Sequence, residues 1–225
     1  MTGIVLVLYK MIQASLKSKT NFKNFMDTFD AIEQRRSVKN FDPNHTISKQ
    51  EIDKILSAAI LSPTSYNIQH WRFVAITDKQ IKEKMRIVSH NQAHVSDASV
   101  VLVLCADLLA WKKDPVRYWK NAPKTAQDYL APAIMNSYEG KERLQRDEAI
   151  RSTSMAAQTI MLAAKAMNYD SCPMIGFDPL EVAKIIGLPS DHIIVMMIVI
   201  GKALKPANPR GGQLSLDEVR FENHF

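Results

Sequence analysis

Length, composition and charge place this chain among ordinary globular proteins. Its 225 residues are 46% hydrophobic and 23% charged, enough to bury a core in one domain. The net charge is +6, but residues 1–25 hold four lysines and no acid. The net positive charge of the remaining 200 residues is too small to indicate a nucleic-acid partner. A nucleic-acid-binding function remains an alternative only because residues 1–25 are basic.

The sequence also argues against membrane insertion and secretion. No run approaches the roughly 20 apolar residues that a membrane span needs. The apolar run Gly3 to Tyr9 is followed rather than preceded by charge, and no small-residue cleavage site follows it. Cys105 and Cys172 form neither a CxxC nor a metal-ligand pattern, so buried neutral thiols are expected. We expect a cytoplasmic protein without a membrane partner.

The first half of the chain alternates helix and strand signals. Ser48 and Glu51 form a capping box that starts a helix, and Pro63 is expected to end that helix. The other predicted elements are a short helix over Thr28–Gln34, a strand over Trp71–Thr77, an amphipathic helix over Asp78–Ser89 with Ile81, Met85 and Val88 on one face, and a buried strand over Ser99–Cys105.

The second half contains one long segment without a clear assignment. Residues 106–147 mix aromatic residues with charges and prolines, and they fit either a helical lid or an ordinary helical excursion. The remaining predictions are a central buried helix over Ser152–Met167, a helix capped by Asp178 and ended by Gly187, a central strand over Ile193–Ile200, and an extended tail from Lys202 to Phe225. No repeat or linker divides the chain, so one domain is predicted.

A basic stretch, Arg35-Arg36-Ser37-Val38-Lys39-Asn40-Phe41, is the first candidate site. Arginine presents a planar fork of donors that fits phosphate oxygens, and serine and lysine add a hydroxyl and a compact charge. A solvated helix end, favoured by the helix dipole, is the alternative. The chain contains neither GxGxxG nor GxxxxGK[ST], so a bound phosphate would be held by side chains and loop amides.

Three further segments accompany the basic stretch in a fixed order. They are Ser62–Phe73, Cys172–Asp178, and Gly201-Lys202-Ala203 followed by Pro209-Arg210. In order and spacing the four segments resemble the FMN-dependent nitroreductase family, most closely its small bacterial NAD(P)H type. The resemblance begins near Met26. Residues 26–225 are therefore expected to form the domain, with residues 1–25 an appendage or a segment upstream of a native start at Met26.

The resemblance implies a fold and an assembly. The fold is α+β, with a central, largely antiparallel sheet flanked by helices. Members of the family form homodimers with two FMN sites at the interface. In such dimers a C-terminal tail like Leu214 to Phe225 reaches across onto the partner subunit.

The resemblance assigns the basic residues to the phosphate end of FMN and to the flavin ring. Arg35, Ser37 and Arg210 are expected at the phosphate. Lys39 is expected beside the pyrimidine edge, where it would support the charge of the reduced ring. The side chain of Arg36 is expected to point elsewhere, with only its backbone contributing.

Three other segments are expected to line the ring. The family positions matched here are Pro63, Thr64, Asn67, Gln69, Asn91, Pro173, Met174, Ile175 and Gly176. Asn91 would bond the pyrimidine edge, and the turn from Pro173 to Gly176 would offer backbone donors to N5 and O4. His94 stands where some relatives carry a cation. His90 and His94 would bind a metal only as an i, i+4 helical pair with further ligands, so no metal site is predicted.

The implied activity is a ping-pong transfer of hydride through FMN. NADH or NADPH would reduce the flavin, and a small-molecule acceptor such as a nitroaromatic or quinone would reoxidise it. No catalytic residue beyond the flavin is expected, with Lys39 as electrostatic support. Two alternatives stay open: the same fold with another acceptor, by dehalogenation or by enal or aldehyde reduction, or a flavin-binding stress protein with little turnover.

Overall fold

The fold is a four-stranded antiparallel sheet with helices on both faces. A computed structural model describes residues 26–225, and the expected appendage lies outside these residues. The strands are β1 (Trp71–Ile76), β2 (Val100–Asp107), β3 (Asp170–Met174) and β4 (His192–Gly201). The helices are α1 (Thr28–Gln34), α2 (Lys49–Ala59), α3 (Lys79–Ile87), α4 (Ala93–Asp97), α5 (Lys124–Tyr138), α6 (Glu142–Ala166), α7 (Pro179–Ile186) and α8 (Leu216–Val219).

The strand order is β1-β2-β4-β3, and each neighbouring pair is antiparallel. The two inner strands are the apolar runs that the sequence predicts as buried strands. Every residue of β2 is buried, because both faces of this strand are covered. The prediction of a largely antiparallel central sheet is confirmed.

Alternate residues of the inner strands belong to two separate cores. Val100, Leu102 and Leu104 face one core, which includes α2 and α6. Val101 and Val103 face the other core, which includes α3, α7 and the buried side chains of the basic stretch. This two-residue alternation is the geometry of a strand. As a result, the buried side chains of the basic stretch and those of α6 pack on opposite faces of the sheet.

Two helix starts form as their sequence signals predict. In α2 the Ser48 side chain and the Glu51 carboxylate form both halves of a capping box. In α7 the Asp178 carboxylate accepts hydrogen bonds from the amides of Leu180 and Glu181, and Gly187 ends the helix at φ 61°. Glycine suits that left-handed position because it has no Cβ.

Several boundaries differ from the predictions. Helix α2 ends at Ala59, four residues before Pro63. Helix α6 begins at Glu142, ten residues before the predicted start at Ser152. The tail is not wholly extended, because Ser215 and Glu218 form a capping box that starts the one-turn helix α8.

The buried face of α3 also differs from the prediction. Ile81 is 38% exposed, whereas Lys82 is 6% exposed. The Lys82 ammonium lies 2.5 Å from the Ala98 carbonyl oxygen, at the C-terminal end of α4. A lysine can bury its alkyl stem when its charged end reaches carbonyls of this kind.

The unassigned segment is helical. It forms two short 3-10 turns, Ala110–Lys112 and Pro115–Trp119, and then α5. Three of its aromatic residues, Trp111, Tyr118 and Tyr138, pack with Ile68 in a third core cluster, which lies over the loop before β1. No helix within residues 26–225 is long and apolar enough to cross a membrane.

Candidate functional site

Three arginines line one pocket between the basic stretch and the C-terminal segment. The pocket has a volume of about 280 Å³, and its lining is Arg35, Arg36, Ser37, Asn208, Pro209, Arg210, Gly211 and Gln213. No carboxylate is among these residues. Burial lowers the pKa of Arg35, and the charges of Arg210 and Arg36 lower it further. Like charges held together without an acid are an arrangement that an anion would stabilise.

Two arginine side chains hold the C-terminal segment against the basic stretch. The Arg210 guanidinium donates to the Glu33 carbonyl at 2.9 Å and to the Arg35 carbonyl at 3.5 Å. The Arg36 guanidinium donates in the opposite direction, to the Asn208 carbonyl. The expectation that Arg36 points elsewhere is therefore wrong, because its side chain lines the pocket and closes this reciprocal contact.

The basic stretch runs along the outer edge of β3. Ser37 and Ser171 form a parallel bridge, and the Val38 amide donates to the Ser171 carbonyl at 3.1 Å. Val38 is buried, whereas Ser37 and Lys39 are exposed. In an extended stretch residues two apart share a face. Ser37 and Lys39 are consequently presented on the side opposite to the core.

The turn after β3 brings the predicted segment Cys172–Asp178 next to Asn91. The Gln92 side chain donates to the Gly176 carbonyl at 2.9 Å, and the Asp178 amide donates to the Val88 carbonyl at 2.8 Å. A Cβ at Gly176 would lie 3.3 Å from the Gln92 side-chain nitrogen, so this approach favours glycine. Nothing in the sequence marks Gln92, which meets Gly176 across 84 positions.

Backbone donors are available at this turn. Ile175 and Gly176 lie between β3 and α7, and their amides donate no hydrogen bond to another residue of the described chain. The side chain of Ile175 is 78% exposed, while Met174 is buried and Pro173 is half-buried. The turn can therefore offer two adjacent N–H groups to a ligand, as the resemblance implies for N5 and O4.

His94 is a buried residue in the first turn of α4. It is 4% exposed, and its Nε2 has no hydrogen-bond partner within residues 26–225. Burial lowers the pKa of His94, and the charge of Lys39 lowers it further. His90 stands at φ 54° in the turn before α4, so the helical pair of histidines required for a metal does not form.

The loop before β1 is held in an unusual backbone conformation. Tyr66, Asn67 and Gln69 have φ values of 50°, 56° and 55°. The Asn67 side chain donates to the Tyr118 carbonyl at 2.8 Å, and the Gln69 amide donates to the Thr64 hydroxyl at 3.2 Å. Left-handed non-glycine residues cost on the order of 1 kcal/mol each and persist where their surroundings fix them. The contacts of Asn67 and Gln69 are thus made within the chain, and Pro63 is left exposed at the loop surface.

This loop is far from the arginine pocket within one chain. Through β2, Trp71 is in register with Ile193 of β4, whereas Ser37 is joined through Ser171 to Ile200. Seven residues along a strand span about 24 Å, and four strand spacings span about 19 Å. The loop and the basic stretch therefore lie at opposite corners of the sheet, further apart than one FMN molecule can reach.

An acidic cluster near β1 is compensated by cations. The carboxylates of Asp107 and Asp191 lie close to His192. The Lys113 ammonium donates to Asp107 at 2.9 Å and to Asp191 at 2.5 Å, and the Arg72 guanidinium donates to Asp107 at 3.1 Å. Lys113 and Arg72 thus supply cations that balance these carboxylates at the end of β2 and just before β4.

Comparison with known proteins identifies the family. The family model described as Nitroreductase family matches residues 32–202. The protein DrgA of Synechocystis sp. is 55% identical over 182 residues, which cover 81% of this chain and 87% of that protein. An oxygen-insensitive NADPH nitroreductase of Helicobacter acinonychis is 30% identical over 80% of this chain and 89% of its own length.

A solved structure extends the similarity to the fold. An Exiguobacterium sibiricum protein, crystallised in complex with FMN, superposes with a TM-score of 0.82 at 29% identity. The match covers 87% of this chain and 97% of that protein. With most of the chain matched in sequence and in fold, this protein belongs to the nitroreductase family.

Proposed function

We propose that this protein is an FMN-dependent oxidoreductase that takes electrons from NADH or NADPH and passes them to a small-molecule acceptor. The observation that carries the proposal is the convergence of Arg35, Arg36 and Arg210 on one pocket without a carboxylate. Arginine forks bind phosphate oxygens in pairs, and the phosphate of FMN is the anion that this family membership favours.

The residues of the pocket and of the turn after β3 suit the two ends of one FMN. Arg35, Ser37 and Arg210 would hold the phosphate, with Arg36 closing the C-terminal segment over it. Ser37 is beside Ser171, and Ile175 follows four residues later, about 13 Å along an extended strand. The amides of Ile175 and Gly176 would then reach the ring, and Asn91 would meet its pyrimidine edge beside Gln92 and Gly176.

Lys39 would support the ring electrostatically. When bound, FMN supplies the hydride chemistry, accepting two electrons from NAD(P)H and releasing them to the acceptor. Lys39 is presented on the same side of the extended stretch as Ser37. A fixed cation there favours the negative charge that reduction brings. Proper placement of the reactants supplies the rest of the catalysis, without a protein acid or base.

The reductant and the acceptor are proposed with different support. The relative from Helicobacter acinonychis is named an NADPH nitroreductase, which supports a nicotinamide reductant and a nitroaromatic acceptor. A quinone would suit the same site. Dehalogenation and enal or aldehyde reduction are the alternatives within this fold, because a fold does not fix its substrate.

We further propose that the site is completed by a second copy of the chain. Pro63, Thr64, Asn67 and Gln69 lie at the opposite corner of the sheet from the arginine pocket of their own chain. A homodimer in which this loop of one subunit meets the pocket of the other would place all four segments around one FMN, giving two sites.

The test begins with the purified protein. It should be yellow, and on denaturation it should release FMN, identified by chromatography against FMN and FAD. Under anaerobic conditions NADH or NADPH should bleach the bound flavin, and a nitroaromatic or quinone should restore its colour. Recovery of FAD, or failure to bind FMN on reconstitution, would contradict the cofactor. Binding without bleaching would favour a flavin-binding stress protein over an enzyme.

A further inference from the structure

His94 has a buried polar atom that the proposed function does not yet use. The side chain is 4% exposed, and its Nε2 is without a hydrogen-bond partner among residues 26–225. Buried polar atoms are almost always satisfied, so an unsatisfied one calls for a physical reason. A basic imidazole nitrogen held without a donor is a place that can receive a proton.

The position of His94 connects it to the flavin side of the site. It is in the first turn of α4, two residues after Gln92, whose side chain donates to the Gly176 carbonyl. Among the described residues, the charged groups that act on its ring are Lys39, from the basic stretch, and Asp97, from its own helix. Burial raises the pKa of the Cys172 thiol in β3 by more than the charge of Lys39 lowers it, so the thiol stays neutral.

Because of these neighbours, the charge of His94 depends on whether an anion lies beside Lys39. Burial and the Lys39 ammonium both lower the pKa of His94, so the imidazole is neutral at pH 7. An anion that arrived beside Lys39 would offset one of these two causes. Asp97 already acts in the opposite direction and would help to stabilise the imidazolium.

We propose that His94 takes up a proton from solvent when the flavin beside Lys39 is reduced, and releases it when the flavin is reoxidised. The inference rests on the proposed function. In balance, NAD(P)H gives one hydride to the flavin, whose charge becomes more negative by one, and one solvent proton adds to His94 Nε2. Reoxidation by the acceptor reverses the second step. His94 would thus act as a second cation that is present only in the reduced state.

The reduction potential measured against pH tests this coupling. Each proton taken up with two electrons shifts the potential by about 30 mV per tenfold change in proton activity. The wild type should show a slope of about 59 mV per pH unit through neutrality, for two protons. His94→Gln, which cannot be protonated, should show about 30 mV per pH unit over the same range, for one proton.

Two control variants separate the residue from its surroundings. His90→Gln removes a neighbouring, exposed histidine and should keep the wild-type slope. His94→Lys supplies a cation whose ordinary pKa is far higher than that of histidine, and it should show the lower slope at a higher potential. Protonation of the flavin itself would contribute equally to the slope of potential against pH in every variant. The difference in slope between wild type and His94→Gln therefore reports the proton taken up by His94.

Imidazole NMR gives a readout that does not depend on the potential. The ¹⁵N shifts of His94 should be those of a neutral ring at pH 7 in the oxidised holoprotein and of an imidazolium after reduction. Equal slopes in wild type and His94→Gln, or an unchanged ring on reduction, would overturn the inference while leaving the flavoenzyme intact. A protein that binds no FMN would overturn both.

Discussion

Lys39 should affect reduction of the flavin more than binding of the flavin. The anionic charge that it would face exists mainly after hydride transfer, so Lys39→Ala should lower the reduction potential. A unit charge pair at about 4 Å and a dielectric near 20 is worth on the order of 4 kcal/mol, an upper bound before screening. For two electrons about 30 mV corresponds to 1.4 kcal/mol, which makes the shift measurable by spectroelectrochemistry.

A second lysine provides the control for that variant. Lys54 is exposed on α2, and Lys54→Ala should leave both the potential and the FMN affinity unchanged. If the FMN affinity of Lys39→Ala collapses while its potential stays constant, Lys39 belongs with the arginines at the phosphate. That result would reverse the division of roles within the basic stretch.

Arg210 should matter for retention of FMN. Loss of a charge-assisted contact costs roughly 1.5–3 kcal/mol, or about ten- to a hundredfold in affinity. Arg210→Ala should weaken FMN binding in this range, measured by fluorescence titration of the cofactor-free protein. Arg143→Ala removes an exposed arginine of α6, outside the arginine pocket and the tail, and is the matched control. Unchanged affinity for Arg210→Ala would place this guanidinium outside the phosphate site.

The residue scale also shows what the sequence could not predict. The basic stretch is recognisable because its members are adjacent, and the arginine pocket does contain Arg35, Ser37 and Arg210. Arg36 was misplaced and Gln92 was missed, because their partners, Asn208 and Gly176, are far away in sequence. Local sequence patterns do not reveal contacts between residues so far apart in the chain.

At the scale of elements, the cap of α2 gives a prediction about pH. Hydrogen bonds from the Ser48 hydroxyl and amide, and from the Tyr169 hydroxyl, lower the pKa of Glu51 to about 2. Because the folded-state pKa is depressed, this stabilisation is present above about pH 4.5 and is lost as the pH falls toward 2. Glu51→Gln should therefore destabilise the protein at pH 7, by about 0.5–2 kcal/mol, and much less near pH 2.

Chemical denaturation at a series of pH values checks this prediction. Glu83→Gln is the control, because Glu83 is exposed on α3 and accepts no side-chain bond among the described residues. A destabilisation of Glu51→Gln that does not change between pH 7 and pH 3 would show that the ionised carboxylate is not the group that matters.

Elements with strong local signals were predicted well, and those governed by distant contacts were not. The α2 cap, the Asp178 cap and the apolar run of β2 depend on neighbouring residues or on continuous burial. In α3, by contrast, the buried position of Lys82 depends on the Ala98 carbonyl of another helix. A hydrophobicity pattern does not place such a lysine on the buried face, and the prediction named Ile81, Met85 and Val88 for the apolar face instead.

At the scale of the whole molecule, the tail should be needed for assembly. Five of its apolar side chains are 55–100% exposed in the single chain, namely Leu214, Leu216, Val219, Phe221 and Phe225. Five large apolar side chains left exposed in one short segment indicate an interaction site. Deleting residues 219–225 should shift the light-scattering mass from dimer to monomer and reduce the flavin content, because the proposed site needs both subunits.

A second deletion serves as the comparison. A chain that begins at Met26 should remain a dimer with full flavin content, since the family similarity starts after the expected appendage. A fully dimeric and flavin-loaded protein without residues 219–225 would contradict the role of the tail. Monomeric protein from the chain beginning at Met26 would contradict the view of residues 1–25 as an appendage.

The labelling rates of the two buried cysteines can be used to measure local and global unfolding of this protein. Cys105 is 1% exposed in the middle of β2, and burial raises its pKa to about 11. Cys172 is 2% exposed in β3, beneath the edge formed by the basic stretch. The chain has no other cysteine, so Cys105→Ser and Cys172→Ser each leave a single thiol for a reagent to label.

Labelling of Cys105 should follow global unfolding, whereas labelling of Cys172 should need only detachment of the edge. Added FMN should therefore slow the alkylation of Cys172 in proportion to its occupancy of the arginine pocket, and equal labelling rates at both thiols would mean that the edge and the central sheet open together.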